Sequence, residues 1–327
     1  MNISENQRVA DAPSNNWVYR LLPVGLWPYA QLARWDRPIG WWLLLWPCWW
    51  SLALAVNVRI NVNLADPDPL IGPPVILVVF AIYLLLFLIG AIVMRGAGCT
   101  YNDLVDKDID AKVARTASRP IPSGRVSGRK AKIFMILQAG IGALVLLSFN
   151  WFSVFLGLAS LIIVAIYPFA KRVTDWPQLV LGLAFSWGAL MGWAAMMGAL
   201  SWSPLFLYAG SILWVIGYDT LYAHQDKEDD ALVGVRSTAR LFAENTKPAL
   251  VLLYGGAIAL FLASFYAAGM GWPAYLGLAI GAVHMGWQIK VLDIDVADQC
   301  LKLFKSNSHF GWIIFGGLLA TIVETLL

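Results

Sequence analysis

The stretch PPVILVVFAIYLLLFLIGAIVMRGAGCTYNDLVDKDID, residues 73–110, decides how the chain is to be read. From Pro73 to Met94 no charge interrupts it, and a helix needs about 20 such residues to cross the hydrocarbon of a bilayer. The segment then runs straight into Asn102, Asp103, Asp106, Asp108 and Asp110. Asp103, Asp106 and Asp110 are spaced by three and four, so on a helix they share one face, with Asn102 one turn before Asp106. Asp108 falls away from that face. A membrane-spanning helix thus delivers a group of carboxylates to one side of the membrane.

The rest of the chain agrees with that reading. Of 327 residues 59% are hydrophobic and 13% charged, against roughly 25% charge in an ordinary soluble domain. Spans are expected near 38–57, 71–94, 131–149, 151–169, 177–199, 203–219, 247–267, 270–290 and 308–326. The fold class is therefore all-α, a polytopic transmembrane bundle of nine helices. Basic residues crowd the connections after the even-numbered spans, whereas those after the first, third, fifth and seventh hold only Arg59. By the positive-inside rule the N-terminus is cytoplasmic and the C-terminus outside. Residues 1–30 read as a polar extension whose end, from Leu21 to Trp35, can lie at the interface as an amphipathic helix. Residues 31–327 read as the membrane domain.

The formal charge of +3 is too small for a nucleic-acid partner. Cys48, Cys99 and Cys300, and likewise His224, His284 and His309, are scattered without ligand-like spacing. No basic, serine-rich, acid-poor transit segment is evident, which favours a bacterial cell inner membrane over a mitochondrial one. A monomer can contain every candidate residue.

A second acidic run, YDTLYAHQDKEDD at 218–230, follows the sixth span, on the same expected side as the first. Asp219, Tyr222, Asp226 and Asp230 fall close to one stripe if the helix continues. Carboxylates gathered this tightly raise one another's pKa unless a cation sits among them. Mg2+ suits them, because it takes carboxylate ligands, keeps some waters and bridges to phosphate oxygens. Two solvated acidic loops would explain one cluster more readily than a matched pair. The run RTASRPIPSGRV at 115–126 adds Arg115 and Arg119, which suit bidentate phosphate contacts. Acidic residues at midplane would mark a secondary transporter instead; these sit in the connections.

These strings resemble the UbiA family of intramembrane prenyltransferases. NDLVDKDID at 102–110 with RTASRPIPSG at 115–124 is similar to the family's first aspartate-rich motif, and YDTLYAHQDKEDD with GVRST at 234–238 to its second. RWDRPIGWWLLLWPCWW at 34–50, YPFAKRVTDWPQLVLGLAFSWG at 167–188 and FKSNSHFG at 304–311 are similar to the branch that prenylates 4-hydroxybenzoate. GVRST departs conservatively, with arginine where lysine is usual. The resemblance implies a nine-helix bundle, Mg2+, a polyprenyl diphosphate donor and an early step of ubiquinone biosynthesis. Asn102, Asp103, Asp106 and Asp110 would hold one metal ion, and Asp219, Asp226 and Asp230 a second or the rest of the first. Arg115 and Arg119 would neutralise the diphosphate. Arg34, Lys171 or Arg172 would receive the acceptor's carboxylate. Other aromatic or tetrapyrrole acceptors within the same family are the nearest alternative.

Overall fold

A computed structural model describes the chain except residues 1–7, 10, 11, 14, 69, 114, 115, 226 and 228–235, and the side chains of Lys171 and Arg172. Among the described residues all regular structure is helical. Two short helices, α1 (Trp17–Leu21) and α2 (Trp27–Leu32), precede α3 (Ile39–Ala65), α4 (Pro73–Val105) and the single turn α5 (Lys107–Asp110). Then come α6 (Gly128–Leu147), α7 (Trp151–Val173), α8 (Pro177–Ser186), α9 (Gly188–Met197) and α10 (Trp202–Ala223). The short α11 (Thr238–Phe242), α12 (Thr246–Ala267), α13 (Trp272–Val291) and α14 (Ala297–Leu326) complete the chain. The expected interfacial stretch 21–35 is a 3-10 turn at Val24–Leu26 followed by α2.

Eight helical segments among the described residues are long and apolar enough to cross a membrane: α3, α4, α6, Trp151–Ala170, Pro177–Met197, α10, Thr238–Ala267 and α14. The segment expected at 270–290 is the 20-residue helix α13. It is long enough, but His284, Gln288 and Lys290 dilute its apolar character. The chain is thus an all-α polytopic membrane protein with eight candidate spans. Burial separates these spans: the apolar window of α3 is 67% buried, those of α6 and α7 only 17%. Leu144 on α6 and Phe155 and Ile162 on α7 are exposed apolar side chains that a bilayer, not water, has to cover.

The chain divides into two compact units, residues 1–42 with 88–148 and residues 43–87 with 149–327. In the first, Leu32, Val126 and Ala131 form a core with Tyr29, Leu104, Ile121 and Phe134 packed on it. The second is built around tryptophans. Trp46, Trp50 and Trp214 are fully buried, and Trp50 lies edge-on to Phe261 and Phe310 at 5.6 and 5.9 Å. Small residues bring helices together where there is no water to drive them. A Cβ on Gly192 would come 2.2 Å from the Cys48 carbonyl oxygen, and one on Gly188 would meet the Cys48 backbone nitrogen at 3.0 Å. Here the expected span 177–199 breaks in two at Trp187, between α8 and α9.

Candidate active site

In the first unit, α2 ends in a turn that aims a side chain. Trp35 N–H donates to Ala30 O at 2.9 Å and Arg34 N–H to Gln31 O at 3.2 Å. This is the Schellman pattern, in which the intervening residue adopts the left-handed conformation that glycine favours. Arg34 takes it, at φ 57°. The same pattern ends α12, where Met270 N–H donates to Phe265 O and Gly269 N–H to Tyr266 O, each at 3.0 Å. There the left-handed residue is glycine, at φ 61°. An L-residue at such a position costs ~1 kcal/mol or more, so the side chain of Arg34 has to repay it.

What it does is reach Asp103. Arg34 Nη1 donates to Gln31 O at 2.7 Å and Nη2 to Asp103 Oδ1 at 2.6 Å. Arg119 Nη1 approaches the same oxygen at 3.4 Å and Asp110 Oδ2 at 3.0 Å. Helix α4 stops at Val105, and Asp106 turns the chain into α5, its N–H still donating to Asn102 O at 2.9 Å. That near-continuous winding buries Asp103, Asp106 and Asp110 and leaves Asp108 exposed. Asn102 is half-buried. Burial pushes the Asp110 carboxyl above its usual range; Arg119 opposes that rise, while Asp103 and Asp106 add to it. Asp103 Oδ2 is buried and has no hydrogen-bond partner.

The loop after α5 is shaped by its own contacts. Thr116 Oγ1 donates to Asp110 O at 2.8 Å, Val126 N–H to Pro120 O at 2.9 Å, and Gly124 takes φ 75° at the bend. Arg125 fastens the loop to α2, donating to Gln31 Oε1 at 2.9 Å and to Ser118 O. Gln31 in turn donates to the Tyr19 hydroxyl at 3.1 Å. Arg125 and Gln31 thus set where Arg119 and Arg34 start from. No spacing in the sequence singles out Gln31, because its partners lie 12 and 94 residues away. Arg115 lies outside the described residues.

The second unit carries the other motif. On α10, Asp219 and Tyr222 are half-buried at the end that leads out of the candidate span. Trp214 Nε1 donates to Asn307 Oδ1 at 2.8 Å, and Asn307 returns its amide to Leu303 O and Phe304 O, both at 3.2 Å. The Phe304 ring stands 5.8 Å from Tyr218 and 4.8 Å from Tyr222. The string FKSNSHFG therefore locks α14 to the helix that bears Asp219. Thr238, which ends GVRST, hydrogen-bonds Thr220 at 2.6 Å, and its N–H donates to Gln178 Oε1 at 3.0 Å. Arg236 reaches Asp175 at 3.8 Å and Val173 O at 3.3 Å. His224 bonds Thr246 at 3.0 Å, and Lys227 pairs with Asp295. Asp226 and Asp230 lie outside the described residues. Lys171 and Arg172 close the last turn of α7, directly after the candidate span that ends at Ala170.

A family model for the "UbiA prenyltransferase family" matches residues 44–314. The chain belongs to the UbiA prenyltransferase family. It is 46% identical to the mitochondrial 4-hydroxybenzoate polyprenyltransferase of Aedes aegypti, over 89% of this chain and 62% of that protein. It is 42% identical to the protein of the same description in Caenorhabditis elegans, over 97% of this chain and 85% of the relative. The chain thus spans less than two thirds of the mosquito protein. The solved apo structure of a UbiA homolog from Aeropyrum pernix K1 superposes with a TM-score of 0.66 at 26% identity, covering 85% of this chain and 97% of that one.

These UbiA relatives correct one expectation. Both curated proteins are mitochondrial, which favours a mitochondrial setting over a bacterial cell inner membrane. The expectation rested on the want of a transit-like segment in residues 1–28. A chain that spans only part of its relatives' length is no guide to such a segment.

Among the described residues no group of three or more His, Cys, Asp or Glu side chains is gathered so as to hold a metal ion. Of the buried carboxylates of the first motif, Asp103 and Asp110 both contact the Arg119 guanidinium. Even so, the donor set fits a hard divalent cation. Asp103 presents an unpartnered oxygen, and a buried anionic oxygen without a partner is costly.

Proposed function

We propose that this chain transfers a polyprenyl group from its diphosphate to the ring carbon ortho to the hydroxyl of 4-hydroxybenzoate, releasing diphosphate, in ubiquinone biosynthesis. Support for the acceptor comes from the curated relatives, whose printed activity this is. The observation that carries the chemistry is the unpartnered Oδ2 of fully buried Asp103, beside two arginines and two further buried carboxylates.

Asn102, Asp103, Asp106 and Asp110 would hold one Mg2+, and Asp219, Asp226 and Asp230 a second. When bound, the metal supplies positive charge where the leaving diphosphate gains negative charge. Arg119 and Arg115 bind diphosphate oxygens, and the guanidinium fork suits that geometry. Arg34 holds Asp103 in place, its Nη2 on the carboxylate and its Nη1 on the α2 carbonyl. Lys171 and Arg172 are then the better candidates for the acceptor's carboxylate. The allylic carbon–oxygen bond breaks, the electron-rich ring carbon forms the new carbon–carbon bond, and the ring loses a proton to restore aromaticity. The exposed apolar faces of α6 and α7 keep the whole device in lipid, where the donor's tail resides. The proposed arrangement counts nine spans, with α13 as the eighth, an N-terminus on the side of the acidic motifs, and a monomer as the working unit.

The test is transfer of a labelled prenyl group to 4-hydroxybenzoate by membranes containing the protein, with and without a chelator, beside Asp103→Asn and Asp219→Asn. Transfer that Mg2+ restores and both substitutions abolish is the expected result. Transfer to a different aromatic acceptor alone would remove 4-hydroxybenzoate from the reading. Chelator-resistant transfer would remove the metal.

A further inference from the structure

An apolar groove of about 480 Å³, with no carboxylate in its lining, lies in the first unit. That volume is in the range of small-molecule clefts, roughly 300–1,000 Å³. Leu26, Tyr29 and Trp35 form one wall, and Lys130, Phe134 and Leu137 of α6 the other. Tyr29 meets Phe134 edge-on at 5.2 Å, which fixes the distance between the walls. On α6, Lys130, Phe134 and Leu137 recur at helical spacing on one face, so the ammonium stands at the end of the groove and the apolar side chains run inward from it.

One polar feature of this groove has no counterpart in the protein. Lys130 is exposed and makes no ion pair among the described residues, although it opens a candidate membrane span. A hydrocarbon groove with one unpaired cation complements an amphiphile with a single negative charge.

We infer that this groove binds one anionic phospholipid, its phosphodiester on Lys130 and an acyl chain along Tyr29, Phe134 and Leu137. A diphosphate is the poorer fit. Its several charges call for clustered arginines or carboxylate-held metal, and the groove lining contains neither. The lipid would brace residues 26–35, the segment whose left-handed turn aims Arg34.

The experiment uses the full chain in detergent with equal amounts of phosphatidylglycerol and phosphatidylcholine, and counts retained lipids by native mass spectrometry. Retention of one phosphatidylglycerol is expected, in roughly fivefold preference, the scale of one lysine facing an anionic headgroup. Lys130→Ala should abolish the preference. Leu137→Trp, which fills the groove from an exposed position, should cut retention of both lipids. Lys132→Ala, outside the lining, should leave the preference intact. Equal retention of the two lipids, or equal losses in Lys130→Ala and Lys132→Ala, would overturn the site. One-for-one displacement of the lipid by a polyprenyl diphosphate would give the groove to the donor and also overturn it.

Discussion

Replacing Arg34 by methionine removes the guanidinium that Asp103 meets at 2.6 Å while keeping the length of the side chain. Asp103 has no exposed surface, and removing one partner of a buried ion pair costs about 3–5 kcal/mol, because a charge is left behind without compensation. Arg119 stays 3.4 Å from the same oxygen, which places the loss near the lower end, about 3 kcal/mol. The cost of the left-handed backbone is the same for arginine and methionine and cancels. Asp103→Asn should cost a similar amount, since Arg34 and Arg119 then face each other across a neutral amide. Both changes together remove the mismatch, so the double variant should lose less than the sum of the single losses by roughly 2 kcal/mol. Thermal unfolding followed by tryptophan fluorescence in detergent reads this as a drop of roughly 4 °C for each single variant. The double variant should fall only slightly further. Additive losses would refute the coupling, and with it the claim that Arg34 adopts its turn in order to hold Asp103.

Other outcomes follow from the same reasoning. Gln138 is buried on α6 with both amide atoms unpartnered, so Gln138→Leu should raise thermal stability by about 1–2 kcal/mol. A fall would mean that the amide has an unseen partner. Gly192→Ala gains about 1 kcal/mol of helix propensity but drives a methyl group into the Cys48 carbonyl, and should lose about 1–3 kcal/mol net; Gly255→Ala, with open space around it, should not lose any. Equal melting temperatures for those two would refute the close approach of α9 to α3. Lys227 holds the Asp295 carboxyl below the usual carboxylate range. A depressed carboxyl adds stability above its unfolded pKa and loses it as pH falls through the depressed value. Asp295→Asn should therefore flatten the pH dependence of melting at the acid end and leave the alkaline side alone.

Local pattern made much of this legible. The three-and-four spacing separates Asp103, Asp106 and Asp110 from Asp108, and burial separates them in the same way, because a bend at Asp106 barely interrupts the winding. The eight candidate spans coincide with runs of apolar residues, since lipid leaves the backbone few alternatives. The eighth expected span, α13, escaped that rule because His284, Gln288 and Lys290 lower the average of the window, although Gln288 is bonded to α14. Long-range partners were not legible. Thr238 meets Thr220 and Gln178 across 18 and 60 residues, and no periodicity encodes that. The left-handed turn at Arg34 was hidden for a related reason: glycine would have advertised it, and arginine does not.

Helix α13 has a consequence for how the protein is made. It is 20 residues long and too polar to count as a span by composition, yet its face of Ala274, Gly277, Gly281 and Met285 is buried. Gly277 admits the Gly317 backbone of α14, to which a Cβ would approach within 3.0 Å, and Gln288 donates to Ser306 at 2.8 Å. A segment of this kind enters the bilayer poorly alone and well as half of a hairpin, so α13 should insert together with α14. Truncation before Ala297 would then leave a chain degraded at the membrane rather than a nearly complete enzyme, and substitutions at Gly277 or Gly317 would reduce how much protein is made before they altered how fast it works.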